Sequence, residues 1–231
     1  MKKPFLFFAA LMTLLAVSCD KEKEENTPGN PEENIQTSDP FVFGAVDLGL
    51  SVKWANANVG ADKAEAYGDY FAWGEIAVKS DYDWTTYLWC NGNYDSLTKY
   101  CTDASYGERD GKKVLEPSDD SARKVLGGSW RMPTQDEWTE LCEQCSWKYV
   151  TQNGIAGWTV TGRSNGNSIF IPAAGYYSGT EKLDAGSKGL YWSSSLHSIM
   201  PFYAWHLVVG AQPVVEATAR NFGMSIRAVT E

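Results

Sequence analysis

The chain has 231 residues, a formal net charge of −9 and a pI near 4.8. That acidic balance argues against nucleic acid and against electrostatic adhesion to anionic lipid as partners. Its 10 Trp, 12 Tyr and 21 Gly point to short strands, tight turns and packed loops rather than to a helical bundle.

Lys2 and Lys3 form a basic start, and residues 5–17 form an apolar run with one Thr. This reads as a secretory signal, too short to span a membrane. Leu15-Ala16-Val17-Ser18-Cys19 offers small residues before a cysteine and resembles a bacterial lipobox, with Ala16 where a lipobox usually has Leu. The resemblance implies a leader over 1–18 and lipid on Cys19. An ordinary signal cut nearby is the alternative. Loss of Lys2 and Lys3 with the leader takes the net charge from −9 to −11. Residues 19–40 hold a charge run, Asp20-Lys21-Glu22-Lys23-Glu24-Glu25, and no apolar period. Such a segment cannot bury enough surface to order itself and reads as a tether. Acidic residues behind a lipidated Cys also resemble surface-export signals of Bacteroidetes lipoproteins, which implies an outer-membrane lipoprotein at the cell surface. A plain solvated linker is the other reading.

Residues 41–231 are one domain's worth of chain. Strands are expected over 45–50 and 52–55. From 78 to 114 there is no reliable period, but Trp84, Tyr87, Trp89, Tyr94, Tyr100 and Tyr106 lie among Asp, Asn and Gly, so a long aromatic-pinned loop is expected. A helix over 118–126 would be capped by Ser118 or Asp119, show Ala122, Val125 and Leu126 as its apolar face, and stop at Gly127-Gly128. A second helix opens at Pro133. Thr134 and Glu137 have capping-box spacing, and Trp138, Leu141, Cys142 and Cys145 follow as one stripe. A hairpin over 158–161 and 168–172, and strands over 191–195, 204–209 and 224–229, complete the set. The class is α+β.

Four motifs then occur in order: Ala45-Val46-Asp47-Leu48-Gly49-Leu50-Ser51-Val52-Lys53-Trp54-Ala55, Tyr70-Phe71-Ala72-Trp73-Gly74-Glu75, Gly128-Ser129-Trp130-Arg131-Met132-Pro133-Thr134 and Tyr191-Trp192-Ser193-Ser194-Ser195. They resemble the Fibrobacter succinogenes major paralogous domain, common in surface lipoproteins of gut Bacteroidetes. The resemblance implies a C-type-lectin-like, formylglycine-generating-enzyme-like fold: two helices, a small twisted antiparallel sheet and long loops. In the tail, Trp192, Ala204, Trp205, Leu207, Arg220, Gly223, Ser225, Ile226 and Arg227 resemble the fixed frame of variable proteins served by diversity-generating retroelements. In such proteins the frame stays fixed while the residues between it vary, which would produce the unpatterned loop residues of this tail; ordinary drift in surface loops is the alternative reading.

Catalytic and metal signals are weak. Cys142 and Cys145 form a C-x-x-C, yet both are expected in the helix body, away from a helix start where a thiol pKa falls. Zinc wants a second close pair, and Cys90 and Cys101 are too far apart to be one. Buried thiols are the main reading, with Cys90–Cys101 the more plausible disulfide in an oxidising envelope. His197 and His206 are the two histidines and show no ligand spacing. Formylglycine-generating enzymes use later cysteines, and none follows Cys145, so that activity is not expected. Asp81, Asp83, Asp95, Asp103 and Asp110 fit no regular calcium loop and read as a solvated acidic loop. Glu116-Pro117-Ser118 only approaches a lectin tripeptide and reads as a helix start. No metal and no cofactor is expected.

The stretch between Leu196 and Phe222 mixes apolar and aromatic residues without helical or alternating period. The expected role is recognition, on a face centred on His197, Ile199, Phe202, Tyr203, His206, Val208, Val214, Val215, Ala217 and Phe222. On a strand over 204–209, Trp205, Leu207 and Val209 would point inward, and His206 and Val208 outward. Trp130, Trp138 and Trp192 are expected to be scaffold. The partner class is a protein or glycan on host or neighbouring cells, bound by a monomer that meets the membrane through its lipid alone. A structural envelope lipoprotein whose aromatics are all core is the alternative, and an enzyme the third reading.

Overall fold

The computed structural model describes residues 41–231, so the leader, Cys19 and the tether lie outside the described residues. Strands β1 (Ala45–Val46) and β2 (Lys53–Ala55) come first. Helices α1 (Ser121–Leu126) and α2 (Gln135–Gln144) follow the long loop. The rest is strand: β3 (Cys145–Gln152), β4 (Ile155–Gly162), β5 (Ser168–Pro172), β6 (Tyr176–Ser178) and β7 (Glu181–Leu183). Then come β8 (Gly189–Leu196), β9 (Tyr203–Val209), β10 (Pro213–Ala219), β11 (Gly223–Met224) and β12 (Val229–Thr230). They build four three-stranded antiparallel sheets, in the orders β1-β2-β12, β3-β4-β5, β10-β9-β8 and β11-β6-β7. Two helices with small antiparallel sheets make the protein α+β.

Local chemistry explains most boundaries. The capping box at α2 is present: Glu137 N donates to Thr134 Oγ1 at 3.2 Å, and Thr134 N to Glu137 Oε2 at 2.7 Å. Trp138 and Leu141 are fully buried from that helix. The helix ends one residue before Cys145, which is extended at φ −110° and opens β3 instead of closing the stripe. β3 was not expected. It pairs with β4 along all eight residues through a turn at Asn153-Gly154, both with positive φ (48° and 81°). Asn-Gly is the strongest short hairpin signal a sequence carries. α1 starts later than expected, because residues 117–119 form a 3-10 turn and Asp120 is the cap, accepting from Arg123 N at 3.0 Å. Of its apolar face, Ala122 is buried and Leu126 packs against the second apolar cluster, but Val125 is 45% exposed.

The sheet of β8, β9 and β10 lies inside the molecule with apolar clusters on both faces. On one side Tyr191, Leu207 and Val209 meet Trp54, Trp138 and Leu141. On the other Leu190, Trp192, Leu196 and Ala204 meet Phe71, Trp73, Met132 and Met224. Trp54 and Trp138 pack with ring centres 4.6 Å apart. Trp130 is only half-buried, edge-on to Phe43 at 5.3 Å, and so is a weaker part of the scaffold than Trp138 or Trp192. The span expected as one strand over 224–229 is divided into β11 and β12. Between them the buried Arg227 donates to Asn58 Oδ1, Ala55 O and Phe170 O, joining three segments.

Residues 78–114 form a long loop, as the sequence predicts, with two 3-10 turns. Aromatic side chains pin it. Tyr82 Oη donates to Tyr70 O at 2.6 Å, Tyr87 Oη to Trp73 O at 2.7 Å, and Trp89 Nε1 to Gly74 O at 2.7 Å. Arg220 ties the same loop to the sheet, donating to Lys99 O, Tyr100 O and Pro201 O.

Candidate functional site

Three acidic residues of the long loop, Asp83, Asp103 and Asp110, accept hydrogen bonds from its own backbone. Asp83 caps the turn that carries Trp84, accepting from Thr85 N at 2.9 Å. Asp103 caps the turn that carries Tyr106, accepting from Ser105 N at 2.9 Å. Asp110 accepts from Tyr100 N and Cys101 N. The backbone donors hold the carboxyls of Asp83 and Asp103 below the usual range. Among the described residues, no group of three or more His, Cys, Asp or Glu gathers as a metal site.

Those two caps deliver aromatics to the segment before β9. Phe202 meets Tyr94 at 5.3 Å, Tyr106 at 5.0 Å and Tyr203 at 4.7 Å between ring centres. Trp84, Tyr94, Phe202 and Tyr203 line a hollow of about 380 Å³. Beside it, His197 Nδ1 accepts from Met200 N at 3.0 Å and fixes the turn that holds Ile199 out, 77% exposed. Thr102 Oγ1 donates to Ser198 O at 2.9 Å, so loop and turn move as one surface. The His197 ring lies on Trp205, 5.2 Å away.

The other expected site residues are elsewhere. β10 is a regular strand, paired residue for residue with β9 from Pro213↔Val209 to Ala219↔Tyr203, where a loop was expected. Val214 is 43% exposed, while Val215 packs onto the first apolar cluster. His206 does not point outward. It is 3% exposed and edge-on to Trp192 at 5.7 Å. Val208 is half-buried against the second cluster. Alternation along β9 therefore separates two cores, not core from solvent. Trp205, expected inward, is only half-buried. His206, Val208, Ala217 and Phe222 do share a hollow of about 240 Å³, with the Lys188–Asp184 pair (3.0 Å) at its edge. Phe222 packs on Tyr176 at 5.5 Å. The ten residues thus form two separate groups, with Val214 and Val215 outside both. The sequence marked Trp84, Tyr94 and Tyr106 as loop pins and missed them as partners of Phe202.

Burial holds His206 neutral, its pKa down to about 4. Burial likewise pushes the thiols of Cys142 and Cys145 up, to about 12 and about 11. All four described cysteines are free. The expected Cys90–Cys101 disulfide is not formed, since each thiol is turned to a carbonyl, Cys90 to Trp84 O and Cys101 to Asp103 O.

His206 makes stability depend on pH. Unfolded, it titrates near its ordinary 6.5, so between about 4 and 6.5 the unfolded chain binds a proton the folded chain refuses. The stability of the neutral ring is fully present above pH 6.5 and is lost as pH falls toward 4, by roughly 3 kcal/mol. Urea unfolding at a series of pH values should show this slope in the native chain and not in His206→Phe. Equal slopes would mean that the buried ring gains its proton freely.

These features define an α+β domain of mainly antiparallel strands with an aromatic surface patch. No family model, no curated protein and no solved structure matches the chain.

Proposed function

We propose that this protein is a lipid-anchored binding protein of the bacterial cell surface, with a C-type-lectin-like domain of the Fibrobacter succinogenes major paralogous type. Its recognition face is the patch where Phe202 and Tyr203 meet Trp84, Tyr94 and Tyr106, with Ile199 exposed on the neighbouring turn, and its ligand is a protein or glycan. The observation that carries the reading is the exposure of Tyr94 (44%) and Ile199 (77%) on a well-braced surface. Aromatic side chains held rigid give large contact area at low entropic cost, and an apolar patch that serves nothing is a liability in water. The pairing of β2 with β12 and the long pinned loop are consistent with the proposed fold.

The test is the double variant Tyr94→Ser/Ile199→Ser, probed on an array of glycans and extracellular proteins. Melting should change little, because exposed substitutions usually cost within about 0.5 kcal/mol. Binding seen with the native domain should fall sharply. Unchanged binding by the stable variant places recognition elsewhere.

The structural alternative has its own support, since His206, Val208, Val215 and Phe222 are packed rather than displayed. A native domain that binds nothing on the array favours it. Anchoring is tested separately: Cys19→Ala should leave the membrane fraction and lose labelled fatty acid. A variant that keeps both refutes the anchor.

A further inference from the structure

At the far end of β9 from the aromatic patch, a second surface has the chemistry of a ligand site. β9 begins at Tyr203 and ends at Val209, six residues later, so the two ends lie about 20 Å apart. There the core-facing side of the β3–β4 hairpin runs past the core and stays open. Trp147, Tyr149 and Trp158 form one wall of a cleft of about 520 Å³, and the turns 186–188 and 210–213 form the other. Trp147 and Tyr149 share a face because they are two apart on a strand. Tyr149 stands directly across from Trp158. The buried Trp158 braces it edge-on, with ring centres 5.4 Å apart, while Tyr149 itself is 58% exposed. An exposed tyrosine fixed in this way is a flat, rigid platform.

The opposite wall is polar and carries little net charge. Ser187, Lys188 and Gln212 supply a hydroxyl, an ammonium and an amide. Lys188 is already paired with Asp184 at 3.0 Å. No lining residue is acidic, so the cleft holds no carboxylate for a calcium ion. A pyranose ring has the matching form: an apolar C–H face for the tyrosine and a hydroxyl edge for the polar wall. The cleft lies within the range of about 300–1,000 Å³ usual for ligand sites.

The geometry points to a calcium-independent site for neutral hexose units of a polysaccharide, formed by Tyr149 against Ser187, Lys188 and Gln212. The mature chain should be retarded in native gels that contain a neutral α-glucan, β-glucan, mannan or galactan, with polygalacturonate as the acidic control. At least one neutral polymer should slow it, equally with and without EDTA. Tyr149→Ala should weaken that retardation about tenfold or more, and Tyr149→Phe, which keeps the stacking face, should stay close to native. Gln212→Ala, on an exposed turn, should weaken it without touching the platform. Tyr94→Ser/Ile199→Ser should not alter it, so failure here leaves the patch reading intact and the reverse. The proposal is overturned by no retardation in any neutral polymer, by loss of retardation in EDTA, by stronger retardation in polygalacturonate, or by a folded Tyr149→Ala that runs as native.

Discussion

Arg220→Ala is expected to cost the domain roughly 3–5 kcal/mol, close to the whole stability of an ordinary domain at the low end of about 5–15 kcal/mol. The Arg220 side chain is fully buried. It donates to Tyr100 O at 2.8 Å, Pro201 O at 2.9 Å and Lys99 O at 3.2 Å, and lies over the rings of Trp73 and Tyr87 at 5.3 and 5.2 Å. Removing it strands two buried carbonyls and a partly buried one, and empties the space between two aromatic faces. Lysine cannot stand in, because a point charge has no planar fork to reach three carbonyls and stack at once. Arg220→Lys should therefore also lose stability, though less. Urea unfolding gives the size, and amide exchange gives the place: protection should drop first in residues 97–111. An Arg220→Ala domain that unfolds at the native urea concentration would show that the loop is held by its aromatics alone.

Trp192→Ala should cost about as much, roughly 3–5 kcal/mol, the usual range for emptying a buried Trp or Phe site. Trp192 is fully buried, and its Nε1 donates to Phe71 O at 2.9 Å. Its own carbonyl accepts from Trp138 Nε1 at 3.2 Å, so the two tryptophans are linked through the backbone of β8. It also covers one edge of the His206 ring. A collapse around the cavity would let water reach that ring, so the variant should also lose part of the pH slope assigned to His206. Trp192→Phe refills most of the volume and forfeits only the indole donor, so it should retain most of the stability. If Trp192→Ala melts with the native chain, the two-core description of the sheet fails with it.

Much of this was legible before any coordinates. The Thr134/Glu137 box, the Trp138–Leu141 face, the hairpin ending at Pro172 and the aromatic pinning of 78–114 all follow from local spacing, because local chemistry decides them. Three features were not. The start of β3 is hidden, since Cys145 fits a helical stripe with Trp138, Leu141 and Cys142, but the Asn153-Gly154 turn draws it into a hairpin. β10 is hidden because Val214 and Val215 adjoin, which masks the alternation its pairing with β9 imposes. Alternation alone puts His206 outside, because it implies one wet face. A strand covered on both sides keeps the period and loses the solvent, and nothing in the strand itself tells which has happened.

The pairing of β2 with β12 bears on when this molecule can become itself. Trp54 sits across from Val229, and Lys53 from Thr230, so the earliest strands of the domain close against some of the latest. Arg227 adds to the same seam by reaching back to Ala55 and Asn58. Contacts so distant along the chain form late and slowly. A partly made chain holds Trp54 without the neighbour that buries it, and residue 229 must be available before the first apolar cluster can shut. The native state is thus withheld until nearly all of the domain exists.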